Sequence, residues 1–107
     1  MNWVPICTVD RLVPDRGVAA LVAGRQVAVF LLATGDLFAI DNHDPFSKAN
    51  VLSRGLVGDV DGVPTVASPV YKQRFDLRTG QCIDDSTVRI GTWKARKGGG
   101  IVEVGVP

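Results

Sequence analysis

Apolar residues in this chain come in short runs cut by turn-forming residues, and no segment keeps a helical period. The longest run, VAVFLLA at 27–33, is flanked by Arg25–Gln26 and by Thr34–Gly35–Asp36. An apolar run without polar alternation is what a strand covered on both faces requires. The TGD turn at 34–36 leads into LFAID at 37–41, so this region is predicted to form a hairpin. A second predicted hairpin joins VRIGTWKAR at 88–96 to IVEVGV at 101–106 through KGGG at 97–100. WVPICTV at 3–9 is rich in β-formers, and Pro5, which has no N–H to donate, puts it at a sheet edge. VAALV at 18–22 and VPTVAS at 63–68 read as further strands, DRLVPDRG at 10–17 as a loop, and QRFDLRTGQCI at 73–83 as two short strands around LRTG.

From 42 to 62 the apolar pattern fades, and Pro45, Gly55, Gly58 and Gly62 punctuate a polar segment. It is predicted as a long connection with at most one helical turn, within SKANVLSRG at 47–55. Connections this long inside a compact domain tend to carry function. The predicted class is all-β, with small antiparallel sheets joined as a sandwich or partial barrel.

The 107 residues suffice for one core, so the chain is expected to be a single domain over 1–107. A net charge of +1 without a basic stripe gives no reason to expect nucleic acid as a partner. No apolar run approaches the ~20 residues that a membrane helix needs. The N-terminus, MNWVPICTVD, has neither a basic start nor an apolar core, so a cytoplasmic location is expected. Cys7 and Cys82 read either as two free thiols in a reducing compartment or as one disulfide.

Candidate chemistry is sparse. Zinc takes three or four Cys, His or carboxylate ligands. Only His43 and Asp44 adjoin, and neighbours on a strand point to opposite faces. Asp59, Asp61, Asp84 and Asp85 lack the spacing of a calcium loop and read as turn residues. His43 is the sole histidine, and no G-x-S-x-G elbow is present, so no motif sets a nucleophile beside a base. KGGG lacks the Lys-Ser/Thr of a phosphate loop. Lys72, Arg74, Arg78, Arg89, Lys94, Arg96 and Lys97 form either a partner-binding patch or an ordinary solvated face. Trp3, Trp93, Phe30, Phe38 and Phe75 read as core or core-rim aromatics. No catalytic, cofactor-binding or metal-binding set is complete.

Two segments, LFAIDNHDPF and TVASPVYKQRFDLRTGQC, resemble the two loops of Rieske iron–sulfur domains. That family holds a [2Fe–2S] cluster with two Cys and two His, in C-x-H and C-x-x-H loops. Laid on those loops, Asp44 falls at the first Cys position and Phe46 at the first His, while Ser68 and Tyr71 fall at the second pair. All four ligands are absent, which argues against a ferredoxin-type electron carrier. The series DPF, VLSRG, SP-x-x-KQ and TG-x-C resembles more narrowly the small subunit of assimilatory NAD(P)H nitrite reductase, over nearly the whole chain.

This resemblance implies a Rieske-like fold without a cluster and an accessory role in an oxidoreductase. The large-subunit partner then carries FAD, sirohaem and iron–sulfur clusters and reduces nitrite to ammonium, and this chain brings no cofactor of its own. The alternatives are a Rieske-type ferredoxin and a cluster-free Rieske-like module for another oxidoreductase. Two site expectations follow. Phe46 and Tyr71 close the tip by packing, and Lys72, Gln73 and Arg74 contact the partner.

Overall fold

The computed structural model describes all 107 residues. It contains β1 (Asn2–Thr8), β2 (Gly17–Val22), β3 (Arg25–Leu31), β4 (Leu37–Asp41), β5 (His43–Asp44), β6 (Ala49–Asn50), β7 (Leu56–Val60), β8 (Val63–Ala67), β9 (Arg74–Asp76), β10 (Thr92–Gly98) and β11 (Ile101–Val106). Six strands form one sheet in the order β1-β11-β10-β4-β3-β2, three form a second in the order β7-β8-β9, and β5 pairs with β6. Every pairing is antiparallel. Single 3₁₀ turns at Val9–Arg11 and Leu52–Arg54 are the only helical pieces. The all-β expectation holds.

The unbroken apolar run has a direct explanation. β3 lies between two cores, so both of its faces are buried. Val27 and Val29 join Leu12, Val22, Ala39, Val102 and Val104 on one side. Ala28 and Phe30 join Ile40, Leu52, Val66, Phe75 and Leu77 on the other. The second core is where the three-stranded sheet packs on the six-stranded one, and it supports the loops described below. At the sheet edge, β1 pairs only with β11, and its register slips between Pro5 and Cys7. Both cysteines are free; Cys82 is buried in the second core and Cys7 lies on β1.

Two sequence expectations need correction. The segment 42–62 is not one long connection, because it holds β5, β6, the Leu52–Arg54 turn and β7. β7 and β8 form a hairpin through Asp61–Gly62, both at positive φ (52° and 84°), as a two-residue Asp-Gly turn demands. That dipeptide was the legible signal. It was masked because Leu56, Gly58 and Asp59 are exposed, leaving little apolar period in β7. Residues 88–91 do not extend β10 either: Arg89 makes only an isolated bridge to Gln81.

The RFDLRTGQC turn also acquires a reason. Gly80 has φ 79°, and a Cβ there would overlap the Ile90 carbonyl oxygen. The Gly80 N–H closes the turn on the Asp76 carbonyl at 2.8 Å.

Candidate functional site

The two loops singled out in the sequence lie side by side at one end of the domain. The first leaves β5 and turns back at Lys48, whose N–H donates to the Asp44 carbonyl at 2.7 Å. The second spans 68–73 and closes on itself. The Ser68 N–H donates to the Gln73 carbonyl at 2.9 Å, and the Lys72 N–H donates to the Ser68 carbonyl at 3.1 Å. Lys48 and Lys72 sit at φ 61° and 68°, in the left-handed region that non-glycine residues seldom adopt.

Asp44 and Ser68, the positions matched to the two cysteines, are both fully buried and hydrogen-bonded to each other. The Ser68 Oγ donates to the Asp44 Oδ2 at 2.5 Å. The Ser47 Oγ donates to the same oxygen at 2.9 Å, and the Phe46 N–H donates to Oδ1 at 2.9 Å. Burial alone would raise the Asp44 pKa. The donors, Ser68 first, outweigh it and hold the carboxyl below its ordinary value. A buried carboxylate met by three donors has its charge compensated within the protein.

The two positions matched to histidines by the sequence resemblance diverge. Phe46 is half-buried and packs on Phe75, with ring centroids 6.2 Å apart at 50°. Tyr71 does not close the tip as expected, because it is 61% exposed. The hydrogen bonds that close the 68–73 loop hold its apex, Val70 and Tyr71, away from the core. The inward space is filled by Ser68, Asp44 and Phe46 instead.

Sequence reasoning missed Asn42 and Ser47. Asn42 is buried and ties the first loop to the scaffold. Its Nδ2 donates to the Gln26 Oε1 and the Asn50 carbonyl, and its Oδ1 accepts from the Ser53 N–H at 2.7 Å. A lone asparagine in a polar run carries no pattern that would reveal such a hub. His43 is exposed, on the face opposite Asp44, with Nδ1 3.2 Å from the Asn50 Oδ1.

Of the three residues expected to contact a partner, Lys72 is exposed, and its Nζ donates to the Pro69 carbonyl at 3.2 Å. Gln73 is half-buried, and its Oε1 lies buried without a partner. Arg74 forms a two-pronged pair with Asp84, at 2.7 Å and 3.3 Å. The other basic residues of the second half are dispersed. Arg78 pairs with Asp76, and Arg96 pairs with Glu103 while stacking on Trp3 at 3.9 Å. A cleft of about 590 Å³ opens over the paired strands β4 and β10, with Met1, Arg25 and Arg78 also lining it. Its one side-chain carboxylate, Asp41, is already satisfied by the Trp93 Nε1 and the Gly91 N–H, each at 3.0 Å.

These loops do not fit an iron–sulfur cluster. No group of three or more His, Cys, Asp or Glu converges anywhere in the structure. Phe46 offers no donor atom, the Asp44 carboxylate is engaged by protein donors, and neither cysteine lies on the loops.

The chain matches the model of the Rieske-like [2Fe–2S] domain over residues 2–105. It is 45% identical over 104 residues to the nitrite reductase (NADH) small subunit of Salmonella typhimurium, covering 96% of each chain. It is 43% identical over 104 residues to part of the nitrite reductase [NAD(P)H] large subunit of Klebsiella oxytoca, covering 96% of this chain and 11% of that one. A crystal structure of a putative NADH-dependent nitrite reductase small subunit from Mycobacterium tuberculosis superimposes with a TM-score of 0.93, at 45% identity, covering 96% and 93% of the two chains. The chain belongs to the Rieske-like [2Fe–2S] domain family and, within it, to the nitrite reductase small subunits.

Proposed function

We propose that this chain is the accessory small subunit of an NAD(P)H nitrite reductase and that it works by association, without redox chemistry of its own. The observation that carries this reading is the Klebsiella oxytoca relative, in which a domain like this one is about a tenth of a longer reductase chain. Covalent fusion in one organism is what two parts of a working complex permit. The loops are consistent with this role, since they present a closed, hydrogen-bonded surface rather than a set of metal donors.

In this reading the large subunit holds FAD, sirohaem and iron–sulfur clusters and passes electrons from NAD(P)H to nitrite, giving ammonium. The complex works in the cytoplasm, in keeping with the absence of any helix long and apolar enough to cross a membrane. The test is co-expression with the cognate large subunit. A stoichiometric complex, and nitrite-dependent NAD(P)H oxidation that falls when this chain is omitted, are expected. A large subunit that neither binds this chain nor responds to it would overturn the reading.

A further inference from the structure

The surface by which this chain meets its partner is the inference the structure carries furthest, and it rests on the accessory-subunit reading above. We propose that the large subunit docks on the loop end of the domain. The contact is an apolar patch of Leu56, Val70 and Tyr71 ringed by Lys48, Arg54 and Lys72. The partner's facing surface is therefore apolar at its centre and lined by carboxylates.

Exposure singles out this end. Leu56, Val70 and Tyr71 are 78%, 44% and 61% exposed, and they are half of the six large apolar residues left in the open. Of the other three, Met1 precedes β1, Val13 lies before β2 and Leu21 is on β2. The chain brings the patch together in three steps. The Asp44–Ser68 hydrogen bond joins the two loops. Leu56 opposes Ala67, the residue before Ser68, in the β7–β8 ladder. Gly55 packs so close to the Ala67 carbonyl that it has no room for a side chain, which brings Arg54 alongside.

Charge gives the partner's chemistry. Across residues 42–56 and 67–73 the one carboxylate is Asp44, and it is buried. Lys48, Arg54 and Lys72 are exposed and form no ion pair within the chain. Arg74, by contrast, is already neutralised by Asp84, and Gln73 turns inward, so of the three residues marked in the sequence Lys72 carries the contact. A cationic rim steers an acidic surface toward an apolar centre. The patch is also held rigid. Three hydrogen bonds close its two loops, two of them made by lysines at positive φ, so little ordering entropy remains to be lost on docking.

The test compares binding of the co-purified large subunit to wild type and to surface variants, by titration at two salt concentrations. Thermal melts confirm that each variant folds. Tyr71→Ala and Val70→Asp are each expected to weaken binding about tenfold or more, as truncation of a central aromatic anchor does. Lys48→Glu with Lys72→Glu is expected to weaken binding and to flatten its salt dependence. Lys94→Glu and Lys97→Glu, on β10 away from the loops, are expected to bind as wild type. If the wild-type chain binds while the loop-end variants bind equally well, the docking surface is wrong and the accessory role stands. If the wild-type chain does not bind, both fall.

Discussion

Replacing Ser68 by alanine removes the donor that joins the two loops across 24 residues of sequence. The bond is 2.5 Å long, fully buried and made to a carboxylate held in its charged form. Hydrogen bonds to charged groups contribute about 1.5–3 kcal/mol. Asp44 keeps the Ser47 and Phe46 donors, so the loss is placed near the middle, at ~2 kcal/mol. At roughly 4–8 °C per kcal/mol for a domain of this size, the melting midpoint should drop by ~8–16 °C.

Asp44→Asn probes the other partner and supplies the pH dependence. The folded-state pKa of Asp44 lies below its unfolded value of about 3.9. Its stabilisation is therefore fully present above the unfolded value and is lost as pH falls through the folded one. Urea denaturation from pH 7 down to pH 2.5 should show wild type losing stability more steeply than Asp44→Asn below about pH 4. Asp76, Asp84 and Asp85 also have lowered pKa values, but they titrate alike in both proteins and drop out of the difference. A Ser68→Ala protein within about 0.5 kcal/mol of wild type, the range of an ordinary surface change, refutes the reasoning. So does an acid limb that Asp44→Asn leaves unaltered.

Phe46→Ala should cost ~2 kcal/mol, below the ~3–5 kcal/mol of a fully buried phenylalanine because Phe46 is half-buried; a thermal melt that does not move shows that its packing on Phe75 contributes nothing. Gly80→Ala and Gly24→Ala share a positive φ of 79° and 78°, but only the first meets a backbone carbonyl, while nothing lies within 4 Å of the second. Both should pay the left-handed penalty of ~1–2 kcal/mol, and Gly80→Ala should cost clearly more or fail to fold; equal effects in denaturant titrations contradict the overlap with Ile90. Chain purified from iron- and sulfide-supplied cells should be colourless and free of stoichiometric iron, and a red-brown protein by metal analysis and visible absorption would overturn the description of the loops.

Much of the fold was legible in the sequence wherever side chains alternate or cluster strongly. The β3–β4 and β10–β11 hairpins, the Pro5 edge and the double burial of β3 all follow from local pattern. β7 was illegible because it is a mostly exposed strand, held by its ladder to β8 rather than by its own apolar face. The loss of the cluster ligands could also be read directly, since donor chemistry belongs to residue type: phenylalanine has no donor wherever it sits.

What replaced the ligands was decided only in three dimensions. Asp44 and Ser68 look like unremarkable polar loop residues until the two sheets pack and bury both, and burial is what makes their hydrogen bond strong. Phe46 and Tyr71 are both aromatic and occupy matching positions. The sequence does not say which turns inward, because loop closure at Ser68, Lys72 and Gln73 sets the direction. Arg74 and Lys72 carry the same charge, but a carboxylate ten residues away neutralises one and leaves the other exposed without an ion pair. The sequence by itself determined that these loops carry none of the two Cys and two His ligands of a Rieske cluster. Tertiary contact decided that they are locked together by a buried acid and a serine, with an apolar apex turned outward.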